Sequence, residues 1–96
     1  MARLVVKHRV ANFESWKKAF DSMESVRKEH GWLGHTVLRD ASDPNVVMIV
    51  NHVRDLEGAK RYGGSQALRD GRAKGGVQGA PEVAFFEDAE VKSYEL

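Results

Sequence analysis

The segment Val46-Val47-Met48-Ile49-Val50-Asn51-His52-Val53 constrains the fold more than any other stretch of this chain. Its β-branched content favours a strand, and side chains alternate between the two faces of a strand. Val47, Ile49 and Val53 then share one face, and Val46, Met48 and Val50 share the other. A strand apolar on both sides has to be covered on both sides. What the rest of the chain offers as cover therefore decides the architecture.

Upstream, Arg3 to Val10 alternates as a first strand, with Leu4, Val6, His8 and Val10 on one face and Val5, Lys7 and Arg9 on the other. Asn12 presents a side-chain oxygen to the free amides of a helix start, and Phe13, Trp16, Phe20 and Met23 follow at spacings of three and four. The pattern predicts one helix from Phe13 to Glu29 or His30, closed by Gly31, with Arg27, Lys28 and His30 at the negative end of its dipole. A second strand is expected over Trp32–Ala41, then a turn at Ser42-Asp43-Pro44-Asn45, then the doubly apolar strand.

Beyond it, Asp55 can cap a helix through Leu56, Ala59 and Tyr62, which Gly63-Gly64 breaks, and Ser65 can cap a second piece through Ala67, Leu68 and Ala73. Gly71, Gly75, Gly76 and Gly79, followed by Pro81, read as a connector before a last strand, Val83–Asp88, and a charged tail. The order is β-α-β-β-α-β, a ferredoxin-like α+β fold with an antiparallel sheet and helices on one face. The helices cover one face of the doubly apolar strand. A second copy, sheet against sheet, is the most economical cover for the other, which makes the expected assembly a dimeric α+β barrel.

Residues 1–96 are enough for one modest core and one domain. The chain has no cysteine, which excludes disulfide frameworks, thiolate nucleophiles and cysteine-ligated metals. Its net charge of +1 gives no pull toward nucleic acid, and Arg61, Arg69, Arg72 and Lys74 are interleaved with acids as on a solvated helix face. Charge interrupts the N-terminus too early for a signal peptide, and no apolar run approaches a membrane span. A cytoplasmic protein with no membrane or nucleic-acid partner is expected.

The run from Lys7 to Asp21, KHRVANFESWKKAFD, and that from Gly34 to Asn45, GHTVLRDASDPN, resemble the antibiotic biosynthesis monooxygenase-like superfamily of dimeric α+β barrels. Asp55-Leu56-Glu57, Ser65-Gln66-Ala67-Leu68-Arg69 and Gly79-Ala80-Pro81-Glu82 continue the similarity, which is nearest to the small bacterial cyclase-like and monooxygenase-like branch. Gln66 departs from it, since relatives commonly carry proline there. The resemblance implies the barrel and leaves the reaction open, because the superfamily spans cofactor-free oxygenases, cyclases, isomerases and haem-degrading proteins. The haem-degrading proteins hold iron through a histidine on the second helix, whereas every histidine here lies at or before His52. No cofactor is expected.

The candidate catalytic residues are His8, His35 and His52, one on each of three strands. A hairpin with Ala41 opposite Val46 pairs His35 with His52, and two adjacent imidazoles supply a neutral base beside an acid near neutral pH. A loop one residue longer or shorter puts them on opposite faces. The spacing matches no metal-ligand motif, so no metal site is expected. Trp32 and Tyr62, each beside glycine and each with a polar handle, are candidate substrate-binding residues. Asn51 joins them as a residue type found around the substrates of cofactor-free oxygenases.

Two functions fit. One is a cofactor-independent monooxygenase or cyclase/isomerase acting on a small hydrophobic or aromatic metabolite, with a histidine as general base. The other is a non-catalytic dimeric module that binds a metabolite or another protein.

Overall fold

Alternation in the first strand is reproduced in its burial. In β1 (Ala2–Val10), Ala2, Leu4, His8 and Val10 are buried while Lys7 and Arg9 are exposed. The computed structural model describes residues 2–63 and 65–96. Gly64, one half of the expected helix break, lies outside the described residues.

Asn12 caps the next segment as expected, its Oδ1 accepting from the Ser15 amide at 3.0 Å. The stripe that follows forms two helices where one was expected, α1 (Phe13–Ser22) and α2 (Glu24–Glu29). The interruption is at Met23, whose amide turns to the Phe20 carbonyl at 3.1 Å, while the Ser22 hydroxyl donates to the Ala19 carbonyl. Gly31, at φ +92°, makes the left-handed exit into β2 (Trp32–Arg39).

The hairpin to β3 (Val46–Val53) departs from the expected register. Asp40 ends the second strand early because its Oδ1 accepts from the amides of both Ser42 and Asp43. Asp40, not Ala41, then faces Val46. Every downstream pair moves by one: Arg39 faces Val47, Val37 faces Ile49, and His35 faces Asn51. The adjacent His35–His52 pair does not form, and the two rings lie on opposite faces of the sheet.

Asp55 caps α3 (Leu56–Gly63) through the Gly58 amide at 2.7 Å, and the Ser65 hydroxyl caps α4 (Gln66–Gly75) through the Leu68 amide at 3.2 Å. Gly71 and Gly75, expected in a connector, are helical. The connector contracts to Gly76, at φ +70°, and β4 (Val77–Glu87) begins at once. β4 is an edge strand, where Pro81 costs no ladder hydrogen bond that a central strand would need. Gly79, at φ +72°, sits beside the irregularity in its pairing with β1 between Lys7 and Arg9.

The sheet is antiparallel throughout, in the order β2-β3-β1-β4. The helices cover the face that carries Leu4, Val10, Val47, Ile49 and Val53. The other face carries Val5, Val46, Met48 and Val50, half-buried, with Leu38 and Phe86 exposed.

Candidate functional site

The helices do not close fully on the sheet. Between them lies a cleft of about 330 Å³, floored by Leu4, Val6, His8, Ile49 and Asn51 and walled by Trp16 and Phe20 of α1, Tyr62 of α3 and Leu68 and Arg72 of α4. Val83 and Phe85 of β4 lie on its open side, 48% and 41% exposed. Trp32 completes the lining at the far end of the sheet. The apolar lining suits a hydrophobic or aromatic ligand, with a few polar groups to orient it.

Four of the six residues singled out in the sequence face this cleft: His8, Trp32, Asn51 and Tyr62. Asn51 is held from both ends of its amide. Its Oδ1 accepts from Trp32 Nε1 at 2.8 Å and its Nδ2 donates to the Leu4 carbonyl at 3.0 Å. That pair fixes the Trp32 indole, against which the Tyr62 ring packs edge-on at 5.0 Å. The His30 ring packs against Tyr62 at 5.2 Å, its Nδ1 2.8 Å from the Val26 carbonyl. Burial pushes the Tyr62 hydroxyl above the usual phenol range, against the opposing charge of Arg27.

The three histidines do not converge. His8 is 8% exposed and meets the edge of Trp16 at 5.5 Å. Its Nδ1 is buried without a hydrogen-bond partner. Burial holds the imidazole below the ordinary histidine value, against a hydrogen bond to its own backbone and with the positive charge of Arg72 adding to the depression, so the neutral ring predominates at pH 7. His35 is on the same sheet face but lies outside the cleft lining, against Phe20 at 4.9 Å. Burial lowers it too, with Arg27 and Lys17 contributing. His52 is on the opposite face, in short contact with the Arg3 guanidinium, which also holds Asp88 through Nε at 2.5 Å and Nη2 at 3.1 Å.

The cleft's cations were not anticipated. Arg27, Lys60 and Arg72 all line it, and among the described residues no carboxylate does. A signal for Arg27 was present: it falls four residues after Met23, at the next position of the stripe Phe13, Trp16, Phe20, Met23. A charged residue on a buried stripe is more informative than its value as a helix-end cation. Among the described residues no three His, Asp or Glu side chains gather as a metal site would require, and no helix is long and apolar enough to cross a membrane.

No family model and no curated protein matches the sequence. Solved structures do match. SnoaB, a cofactor-independent oxygenase from Streptomyces nogalater, superposes with a TM-score of 0.77 at 14% identity, over 94% of this chain and 94% of that one. The chain has the fold of the antibiotic biosynthesis monooxygenase-like superfamily. A Caulobacter crescentus protein provisionally named an antibiotic biosynthesis monooxygenase superposes at 0.73 and 19% identity, over 93% of this chain and 90% of that one. Rv0793 from Mycobacterium tuberculosis does so at 0.67 and 15%, over 97% and 100%. At these identities the likeness to the superfamily is one of architecture, and chemistry has to be argued from the cleft.

Proposed function

We propose that the chain is a cofactor-independent enzyme, of monooxygenase or cyclase/isomerase type, that acts on a small hydrophobic or aromatic molecule in the helix–sheet cleft with His8 as general base. The observation that carries this reading is the neutral, buried imidazole of His8, whose Nδ1 has no protein partner and which lines a mostly apolar cleft. The fold shared with a cofactor-independent oxygenase is consistent with it.

The common first step is removal of a proton from a carbon next to a carbonyl. The imidazole takes the proton, and the C–H electron pair moves into an enolate. In an isomerisation or cyclisation the imidazolium returns its proton to another atom of the same molecule. In an oxygenation, one CH₂ and one O₂ become one C=O and one H₂O, with the substrate supplying every electron. His35 and His52 have no part in this scheme.

Incubation with a panel of phenols and cyclic 1,3-diketones in D₂O, with oxygen uptake and C–H exchange followed together, tests the reading. The wild type should accelerate exchange of at least one compound, and His8→Ala should lose about 10²-fold or more of that acceleration. His35→Ala and His52→Ala should keep it. Equal rates in His8→Ala and wild type would exclude His8 as the base. Saturable binding without exchange would favour the binding module instead.

The reading also includes a homodimer. Its support is the uncovered sheet face, where Leu38 is 45% and Phe86 55% exposed beside Val5, Met48 and Val50.

A further inference from the structure

Among the described residues, two buried side-chain nitrogens lack a partner, and both belong to residues lining the cleft. One is His8 Nδ1. The other, Arg27 Nη2, has no role in the scheme above. Arg27 is only 6% exposed. Half of its guanidinium is accounted for: Nη1 donates to the Phe20 carbonyl at 2.8 Å, closing the end of α1, and the plane lies over the Phe20 ring at 3.8 Å. Arg27 lines the cleft without an ion-pair partner among the described residues, its Nη2 itself buried. Glu24 and Asp21 act on it only as charges outside the cleft lining, while the Tyr62 side chain, also in the lining, acts on it both through charge and through a side-chain hydrogen bond.

A guanidinium stays charged at any pH at which the protein folds, and a buried charge with an unused donor is costly. An anion placed on Nη2 would offset that cost. Arg72 and Lys60 give the same cleft further positive charge, with no acid among the described residues of the lining to oppose it. Resting on the cleft as the ligand site, we infer that the natural ligand is an aromatic carboxylate, its carboxylate seated on Arg27 and its ring laid along Trp16 and Phe20 toward His8. The ring series sets this geometry: Arg27 to Phe20 at 3.8 Å, Phe20 to Trp16 at 4.9 Å and Trp16 to His8 at 5.5 Å. The reacting carbon is therefore at the end of the ligand remote from its carboxylate.

The matched pair 1-naphthoate and 1-naphthamide differs in charge and little else, and Trp16 and Trp32 provide a fluorescence readout inside the cleft. Naphthoate should bind the wild type about ten-fold more tightly or better, as a charged hydrogen bond supplies. Arg27→Gln should remove that preference. If Arg27→Gln does not fold, the Arg27 side-chain ¹⁵N resonances of the wild type decide: they should shift with naphthoate and stay in place with naphthamide. Equal affinities in the wild type, a preference unchanged in Arg27→Gln, or unmoved Arg27 resonances would each overturn the carboxylate inference alone. Binding of neither compound would overturn it together with the cleft reading.

Discussion

At the scale of single residues, the chemistry of the cleft rests on groups whose ordinary titration is displaced. His8 and His35 are both held below the ordinary histidine value, chiefly by burial. Unfolding returns them to about 6.5, so below that pH the unfolded chain binds more protons than the folded one. Stability is complete above about pH 6.5 and is lost as pH falls through the folded values. Asp43 and Asp88, held below the usual carboxylate range by backbone and guanidinium hydrogen bonds, act only in more acidic solution. The Tm should therefore drop between pH 7.5 and 5.5, and His8→Asn should flatten the drop. A level Tm over that interval in the wild type would contradict the burial of these rings as neutral imidazoles.

At the scale of elements, legibility followed the length and redundancy of the signal. The stripe from Phe13 to Met23 and the alternation in Val46–Val53 repeat their message several times; the strand formed where the pattern put it, and the helix began at Phe13 as expected but broke at Met23 into two. The hairpin register hung on one residue: two amides bonded to Asp40 Oδ1 lengthened the loop and sent His52 to the opposite face. Nothing in the turn composition separates a loop beginning at Asp40 from one beginning at Ser42. The glycines from Gly71 to Gly79 misled for a different reason. Composition suggests a connector, yet Gly71 and Gly75 continue α4, and Gly75 lies against Trp16 closely enough that a Cβ would come within 3.1 Å of its Cδ1. Two substitutions separate these roles. Gly71→Ala, whose Cβ would meet Met23 at an ordinary 3.5 Å, should stabilise by about 0.5–1 kcal/mol. Gly76→Ala, forced to φ +70°, should destabilise by about 1–2 kcal/mol. Urea denaturation checks both, and the same sign for the two would contradict the placement of the α4 terminus.

At the scale of the whole molecule, the helices give the doubly apolar strand only half of its cover. Sedimentation equilibrium at micromolar concentration should report a dimer, and Met48→Glu, on the outer face of β3, should yield a folded monomer. A wild-type monomer would remove the barrel from the account and leave the cleft in place. The cleft is framed by all four described helices and by strands on both sides of the sheet centre, so no local motif announced it; Trp32, Asn51 and Tyr62 were legible as residue types, whereas the meeting of the Trp16, Phe20 and Arg27 stripe with His8 exists only once the chain is folded. The central claim is that this space between helices and sheet is where the protein does its chemistry. A crystal structure with an aromatic ligand bound tests it most directly. The account predicts density enclosed by Trp16, Trp32, Tyr62 and Phe85, within hydrogen-bond reach of His8 Nδ1. Density on the opposite face of the sheet, beside Arg3 and His52, would contradict it.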